Sequence, residues 1–217
     1  MVFLSPYKNV IIVWRKEQLL MKKEEMILKI LKENNGIITT KEIKENNIAN
    51  VYLTRLINKG YIDRVKKGLY VSKNSWGDEY FNLIYGINAI YSYETALYFL
   101  GLCESVPTSY NLTVPRGHKS SLNHNNKVIL HFIKREYLEI GKVNIKSPQG
   151  QIITCYNAER SICDLLKDKQ NQDIEVVKYA ISEYLKNKNS RNLPKLMEYA
   201  KTFNVEEALN NYLEVLM

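Results

Sequence analysis

The sequence predicts an α+β protein in two parts, and three observations carry that reading. Residues 22–74 run through three helical segments and then two short β runs joined at Lys67-Gly68. Residues 75–217 mix strand-like runs between 112 and 154 with helical periods that continue to a helical C-terminal tail. Charge divides at the same place: residues 1–74 carry 15 Lys and Arg against 7 Asp and Glu, whereas 75–217 carry 16 of each. The whole net charge of +8 therefore lies in the first third. A basic module joined to a neutral one suggests a polyanion-binding domain beside a domain of another purpose. A solvated lysine-rich surface gives the same totals, so the placement of the charges has to decide.

Composition sets the outer bounds. With 45% apolar and 25% charged residues over 217 positions, the chain is globular rather than disordered. No apolar run approaches the about 18 residues that span a bilayer. Val10 to Trp14, between Lys8 and Arg15-Lys16, is too short for a signal-peptide core. A cytoplasmic chain with no membrane association is expected. Three cysteines without a C-x-x-C pair argue against a disulfide framework or a common zinc pattern.

Apolar pairs at Ile12/Val13, Leu19/Leu20 and Met26/Ile27 recur every seven residues. They suggest one long helix joining an N-terminal extension, residues 1–21, to the segment that starts at residue 22; a start of the protein at Met21 is the alternative. In that segment Met26, Ile27, Ile30 and Leu31 share a helical face, and Asn34-Asn35-Gly36 stops the helix. Thr39-Thr40-Lys41-Glu42 forms a capping box, with the Thr hydroxyl accepting the amide of Glu42. The short helix it opens carries Ile43 and ends at Asn46-Asn47. A third helix starts near Ala49 or Asn50, is expected to bury Val51, Leu53, Leu56 and Ile57, and stops at Gly60. Tyr61 to Lys66 and Leu69 to Val71 then form a hairpin.

Helix, helix, helix and hairpin in this order predict a winged helix-turn-helix over residues 22–74. Two helices buttress the third, whose polar residues Asn50, Tyr52, Thr54 and Arg55 fit a major groove about 12 Å wide. Thr39, Thr40 and Lys41 at the second helix, with Arg64, Lys66 and Lys67 at the hairpin, are the expected phosphate contacts.

The second region, residues 75–217, opens with a helix over Phe81 to Ile90 and another from the N-cap Ser92 to a stop at Gly101. Leu112-Thr113-Val114 and Val128 to Ile133 read as strands about a basic loop, residues 115–127. Val143-Asn144-Ile145 and Ile152-Ile153-Thr154 flank Ser147-Pro148-Gln149-Gly150, a second hairpin. Helices are expected over Asn157 to Leu166, Asp173 to Lys186 and Leu193 to Thr202. A last helix is expected from the N-cap Asn204 to Leu216, with Glu207 at the capping-box position.

No nucleotide-binding glycine loop or G-x-S-x-G elbow is present, and His118, His124 and His131 form no zinc motif, so no metal or cofactor is expected. Glu159, Arg160 and Asp164 read as a helix-surface group with an i,i+4 bridge. A catalytic reading joins them to Glu136 and Glu139 as a metal-dependent nuclease. Nothing in the spacing requires it, and a non-enzyme is expected. Cys163 reads as a buried small apolar residue.

Four stretches, in order, resemble the AbiEi family of antitoxins from type IV toxin–antitoxin and phage abortive-infection systems. They are Gly60-Tyr61-Ile62-Asp63-Arg64-Val65-Lys66-Lys67-Gly68-Leu69-Tyr70, Tyr91 to Leu97 with Gly101-Leu102, Leu112 to Gly117, and Asn157-Ala158-Glu159-Arg160-Ser161-Ile162-Cys163-Asp164-Leu165-Leu166. The resemblance covers residues 22–170 and leaves 1–20 outside it. It implies a regulator that binds promoter DNA repeats, represses its own operon, and antagonises a nucleotidyltransferase-like toxin without a stable complex. Arg116, Lys119, Glu159, Arg160 and Asp164 are the surface it suggests for antitoxicity. A plain winged-helix regulator without a toxin and a metal-dependent nuclease are the alternatives. Repeats in the operator suit either a dimer or cooperative monomers.

Overall fold

The computed structural model describes residues 6–75, 77–118, 127–168 and 173–216. It is a mixed α+β structure whose chain divides into two compact units. The first runs to Tyr85 and takes in residues 149–151; the second comprises 86–148 and 152–217.

In the first unit α1 (Pro6–Glu33) is continuous through the 21/22 boundary. It ends because Asn35 and Gly36 take φ of 53° and 82°, and the amide of Gly36 returns to Leu31 O at 2.6 Å. β1 (Ile37–Thr39) leads into α2 (Thr40–Glu45). Both halves of the expected capping box are made: Glu42 N donates to Thr39 Oγ1 at 3.2 Å, and Thr39 N donates to Glu42 Oε2 at 2.7 Å. A turn through Asn47 leads to α3 (Val51–Asn58). β2 (Ile62–Lys66) and β3 (Leu69–Ser72) come next, and the strands form an antiparallel sheet in the order β1-β3-β2.

The core of this unit draws Ile27 and Leu31 from α1, Ile43 from α2, Leu53 and Leu56 from α3, and Ile38, Ile62 and Tyr70 from the sheet. Glu24 of α1, nearly buried, pairs with Lys59 at the end of α3 and fixes the two helices at their polar margin. Together α2, its turn and α3 fit a helix-turn-helix. Val51 departs from the sequence expectation: it is 54% exposed, because the face of α3 that meets the core is set by Leu53 and Leu56.

α4 (Glu79–Ile84) is capped by Asp78, whose Oδ1 accepts from Phe81 N at 2.9 Å. Phe81 and Tyr85 pack on Ile37, Leu69 and Val71. The helix ends at Ile84 rather than continuing to Ile90.

The second unit is built on a five-stranded mixed sheet of order β6-β5-β4-β8-β7. Its strands are β4 (Ile90–Tyr91), β5 (Tyr110–Pro115), β6 (Val128–Ile133), β7 (Lys142–Lys146) and β8 (Ile152–Tyr156). β5 pairs parallel to β6 and β4 parallel to β8, while β4–β5 and β7–β8 are antiparallel. Five helices share one core: α5 (Tyr93–Phe99), α7 (Ala158–Lys167), α8 (Ile174–Lys186), α9 (Leu193–Thr202) and α10 (Glu206–Leu216). A short α6 (Arg135–Leu138) links β6 to β7. The three C-terminal helices contribute Val177, Ile181, Leu196, Ala200 and Leu209 to that core, so they are structural members of the unit rather than an appended tail.

Two expected caps are replaced. Ser92 precedes α5 but its hydroxyl accepts from Thr113 Oγ1 at 2.9 Å instead of capping. Asn204 takes φ of 58° at the end of α9, and α10 starts two residues later at Glu206. Tyr93, at φ 52°, stacks on His131 with ring centroids 3.7 Å apart. Burial there pulls the imidazole down to about 4, so the ring is neutral at pH 7.

Candidate nucleic-acid interface

The amphipathic period of α3 separates its two roles. Leu53 and Leu56 face inward, and Val51, Thr54, Arg55 and Asn58 lie exposed three or four residues apart on the opposite side. Asn50, the N-cap residue, is exposed and makes no side-chain hydrogen bond to the cap. Tyr52 is half-buried against the core, and its ring lies 5.9 Å from the guanidinium carbon of Arg55. That contact biases a long cationic side chain toward one orientation on the exposed face.

The hairpin β2–β3 carries Arg64 and Lys67 exposed. The pairing register slips between Arg64 and Lys66, a bulge that leaves Val65 exposed. Gly68 closes the turn at φ 83°, and a Cβ there would lie 2.8 Å from Thr40 Oγ1. Thr40 N donates to Gly68 O at 2.9 Å, which ties the start of α2 to the hairpin turn. Lys41 and Lys67, the next residues on each side of that contact, are both exposed.

Two of the expected phosphate contacts are committed elsewhere. Thr39 is buried, and its hydroxyl belongs to the capping box with Glu42. Lys66 is half-buried and its ammonium donates to Leu83 O at 2.9 Å, at the end of α4. Desolvation lowers its pKa from the ordinary lysine value. Tyr85 Oη donates to Gly68 O at 3.1 Å beside it, so α4 braces the hairpin from behind. Sequence patterning offers no signal for this brace, because Lys66 lies between two residues that are exposed.

The group expected on the antitoxic surface is largely not on a surface. Arg160 is fully buried, and Glu159 and Asp164 are nearly so. Arg160 Nε donates to Asp164 Oδ1 at 2.9 Å, and its Nη1 donates to Tyr137 O and Ile140 O, each at 2.9 Å. Its guanidinium carbon lies 4.1 Å from the ring centroids of both Tyr156 and Phe203. Glu159 Oε1 accepts from Tyr184 Oη at 2.9 Å, and that hydroxyl accepts from Asn192 N at 2.7 Å. Burial pushes the Asp164 carboxyl up to about 6 against the pull of Arg160. These residues hold α7 to α6, β8, α8 and α9. These residues are not on the surface because other elements enclose α7 on every side: each residue from Glu159 to Leu166 is buried. Gly141, at φ 80°, makes room: a Cβ there would meet Arg160 Cβ at 2.5 Å.

Arg116 is exposed in the turn after β5, and Lys119 lies outside the described residues. Glu136 pairs with Lys134, and Glu139 with Lys142, on the surface. Among the described residues no group of three or more His, Cys, Asp or Glu side chains gathers in a way that suits a metal ion. No helix among them is long and apolar enough to cross a membrane. Cys163 is buried, as its pattern suggests.

No curated protein is significantly similar to the chain. The crystal structure of the RV2827C protein from Mycobacterium tuberculosis is similar to it at a TM-score of 0.43 and 11% identity, over 89% of this chain and 81% of that one. Residues 25–73 hold the end of α1, the helix-turn-helix and the hairpin. They match the family model described as transcriptional regulator, AbiEi antitoxin.

Proposed function

We propose that the chain is a DNA-binding antitoxin of a type IV, abortive-infection system that represses its own operon in the cytoplasm. In this reading residues 22–74 are a winged helix, with α3 as recognition helix and β2–β3 as wing. Asn50, Tyr52, Thr54 and Arg55 meet bases or groove walls, and Lys41, Arg64 and Lys67 meet phosphates, with the Thr40 backbone setting their spacing. The observation that supports it most is the family match over a helix-turn-helix whose third helix keeps its polar stripe exposed beside exposed cations. The antitoxin domain expected over 75–217 is then the second unit, without α4 and residues 149–151, and acts against a nucleotidyltransferase-like toxin without a stable complex. The matched model covers residues 25–73, and what supports that half is the resemblance of Tyr91 to Leu97, Leu112 to Gly117 and Asn157 to Leu166 to the same family. Within it Arg116, which is exposed, and Lys119, which lies outside the described residues, are the candidates that remain.

The test is a gel shift of the full chain on its own upstream DNA, with unrelated DNA of equal length alongside. At least a roughly hundredfold preference for the upstream DNA is expected, in two steps if two repeats are occupied. Equal binding to both fragments excludes the repressor reading. A companion variant separates phosphate contact from bracing. Lys66→Met is expected to leave the salt slope of binding unaltered, because its ammonium is engaged by Leu83 O. Lys67→Ala is expected to reduce that slope by about 1. A matching loss of slope in Lys66→Met shows that Lys66 leaves α4 for the backbone of DNA.

A further inference from the structure

The exposed stripe of α3 contains one residue whose presence there has no structural account. Val51 is the first residue of the helix, 54% exposed, and outside the apolar clusters that take in Leu53, Leu56, Ile57 and Tyr52. A branched apolar side chain in that place is more than half exposed and joins none of the apolar clusters of the described residues. It also lowers helix propensity relative to alanine, and its two methyl groups are held in few rotamers. On the same stripe, one turn on, are Thr54 and Arg55, and Asn58 lies a turn further. Polar donors thus surround a single rigid apolar knob at the helix N-terminus, the part of a recognition helix that meets base edges.

In the major groove only one base presents an apolar group, the 5-methyl of thymine. We infer that Val51 reads a thymine methyl, and that the operator half-site carries a thymine about two base pairs from a guanine read by Arg55. The spacing follows from a rise of about 6 Å over four helical residues, set against about 3.4 Å per base pair. The inference rests on the winged-helix reading above and gives the stripe a chemical specificity that charge and fold leave open. Charge favours duplex DNA as the occupant of this face, since the first 74 residues hold the entire excess of +8.

The measurement uses full-length protein and two versions of its own upstream fragment, one made with thymidine and one with deoxyuridine throughout. Loss of one buried methyl corresponds to about a fourfold drop in affinity at each half-site. Wild-type protein is therefore expected to bind the deoxyuridine fragment about fourfold more weakly per occupied half-site, and Val51→Ser, which presents a hydroxyl instead of methyl groups, to bind both fragments alike. The variant sits on an exposed helical position and retains the fold. Equal binding of the two fragments by the wild type overturns the inference, as does an undiminished preference in Val51→Ser, which assigns methyl sensing to another residue or to DNA shape. Either result leaves the repressor reading standing if the thymidine fragment is still preferred over unrelated DNA. Absence of that preference removes both.

Discussion

Arg160→Met is expected to lower the thermal midpoint of the chain by about 10 °C, from a loss of about 3–5 kcal/mol. The cause is the set of buried polar groups that would lose their donors. Arg160 satisfies the carboxylate of Asp164 and two backbone carbonyls, those of Tyr137 and Ile140, while its flat faces rest on Tyr156 and Phe203. Methionine keeps much of the apolar contact and removes every donor. Asp164 Oδ2 is buried and has no hydrogen-bond partner among the described residues, so the carboxyl's side-chain hydrogen bond comes from Arg160. Acidity gives this prediction a signature. Asp164 ionises near 6 in the fold and near 4 in an unfolded chain, so protonation favours folding, and its contribution declines as the pH rises from about 4 through 6. Without Arg160 the folded pKa moves higher still, and the same loss extends toward neutral pH. The variant's deficit should therefore be larger at pH 8 than at pH 5. Arg160→Met combined with Asp164→Leu should recover about half of the loss, since the two carbonyls stay unpaired. A midpoint unchanged in Arg160→Met, together with lost antitoxicity, returns Arg160 to the functional surface.

This residue also marks where the sequence stops being legible. Whereas the caps expected at Ser92 and Asn204 do not form, three elements announced by local chemistry read correctly: the Thr39–Glu42 capping box, the left-handed Asn35-Gly36 stop and the turn at Gly68. Each is dictated by bonds within a few residues. The i,i+4 spacing of Arg160 and Asp164 is equally visible, but spacing on a helix says nothing about which side other elements cover. Three further helices and two aromatic rings decide that. The same holds at Val51, where a single apolar residue near Leu53 looks like core until the helix is docked. It holds at Lys66 too, whose partner arrives from α4, a helix of six residues with no local cue that points back to the hairpin. β4, two residues long, is the central strand of its sheet and carries too little pattern to be seen beforehand.

Binding to upstream DNA should weaken about 40-fold per bound copy when salt rises from about 50 to about 200 mM. The figure comes from about three phosphate contacts, by Lys41, Arg64 and Lys67, each adding roughly 0.9 to the slope of log affinity against log salt. Arg64→Ala combined with Lys67→Ala should bring that slope close to about −1 and cost about 60-fold in affinity at about 0.1 M salt. The ratio between upstream and unrelated DNA should hardly move, because backbone contacts fix register and orientation without reading bases. Stability should hardly move either, since both side chains are exposed and the hairpin is held from behind by Tyr85 and Lys66. The pair of readouts distinguishes two ways for a basic first third to act. If the charge is a diffuse attraction spread over the 15 Lys and Arg of residues 1–74, removing two of them barely changes the slope. If it is a wing aimed at the backbone by the brace from α4, the same two substitutions remove most of the salt dependence. A fold that commits a lysine, a tyrosine hydroxyl and a left-handed glycine to holding one hairpin turn in place favours the second.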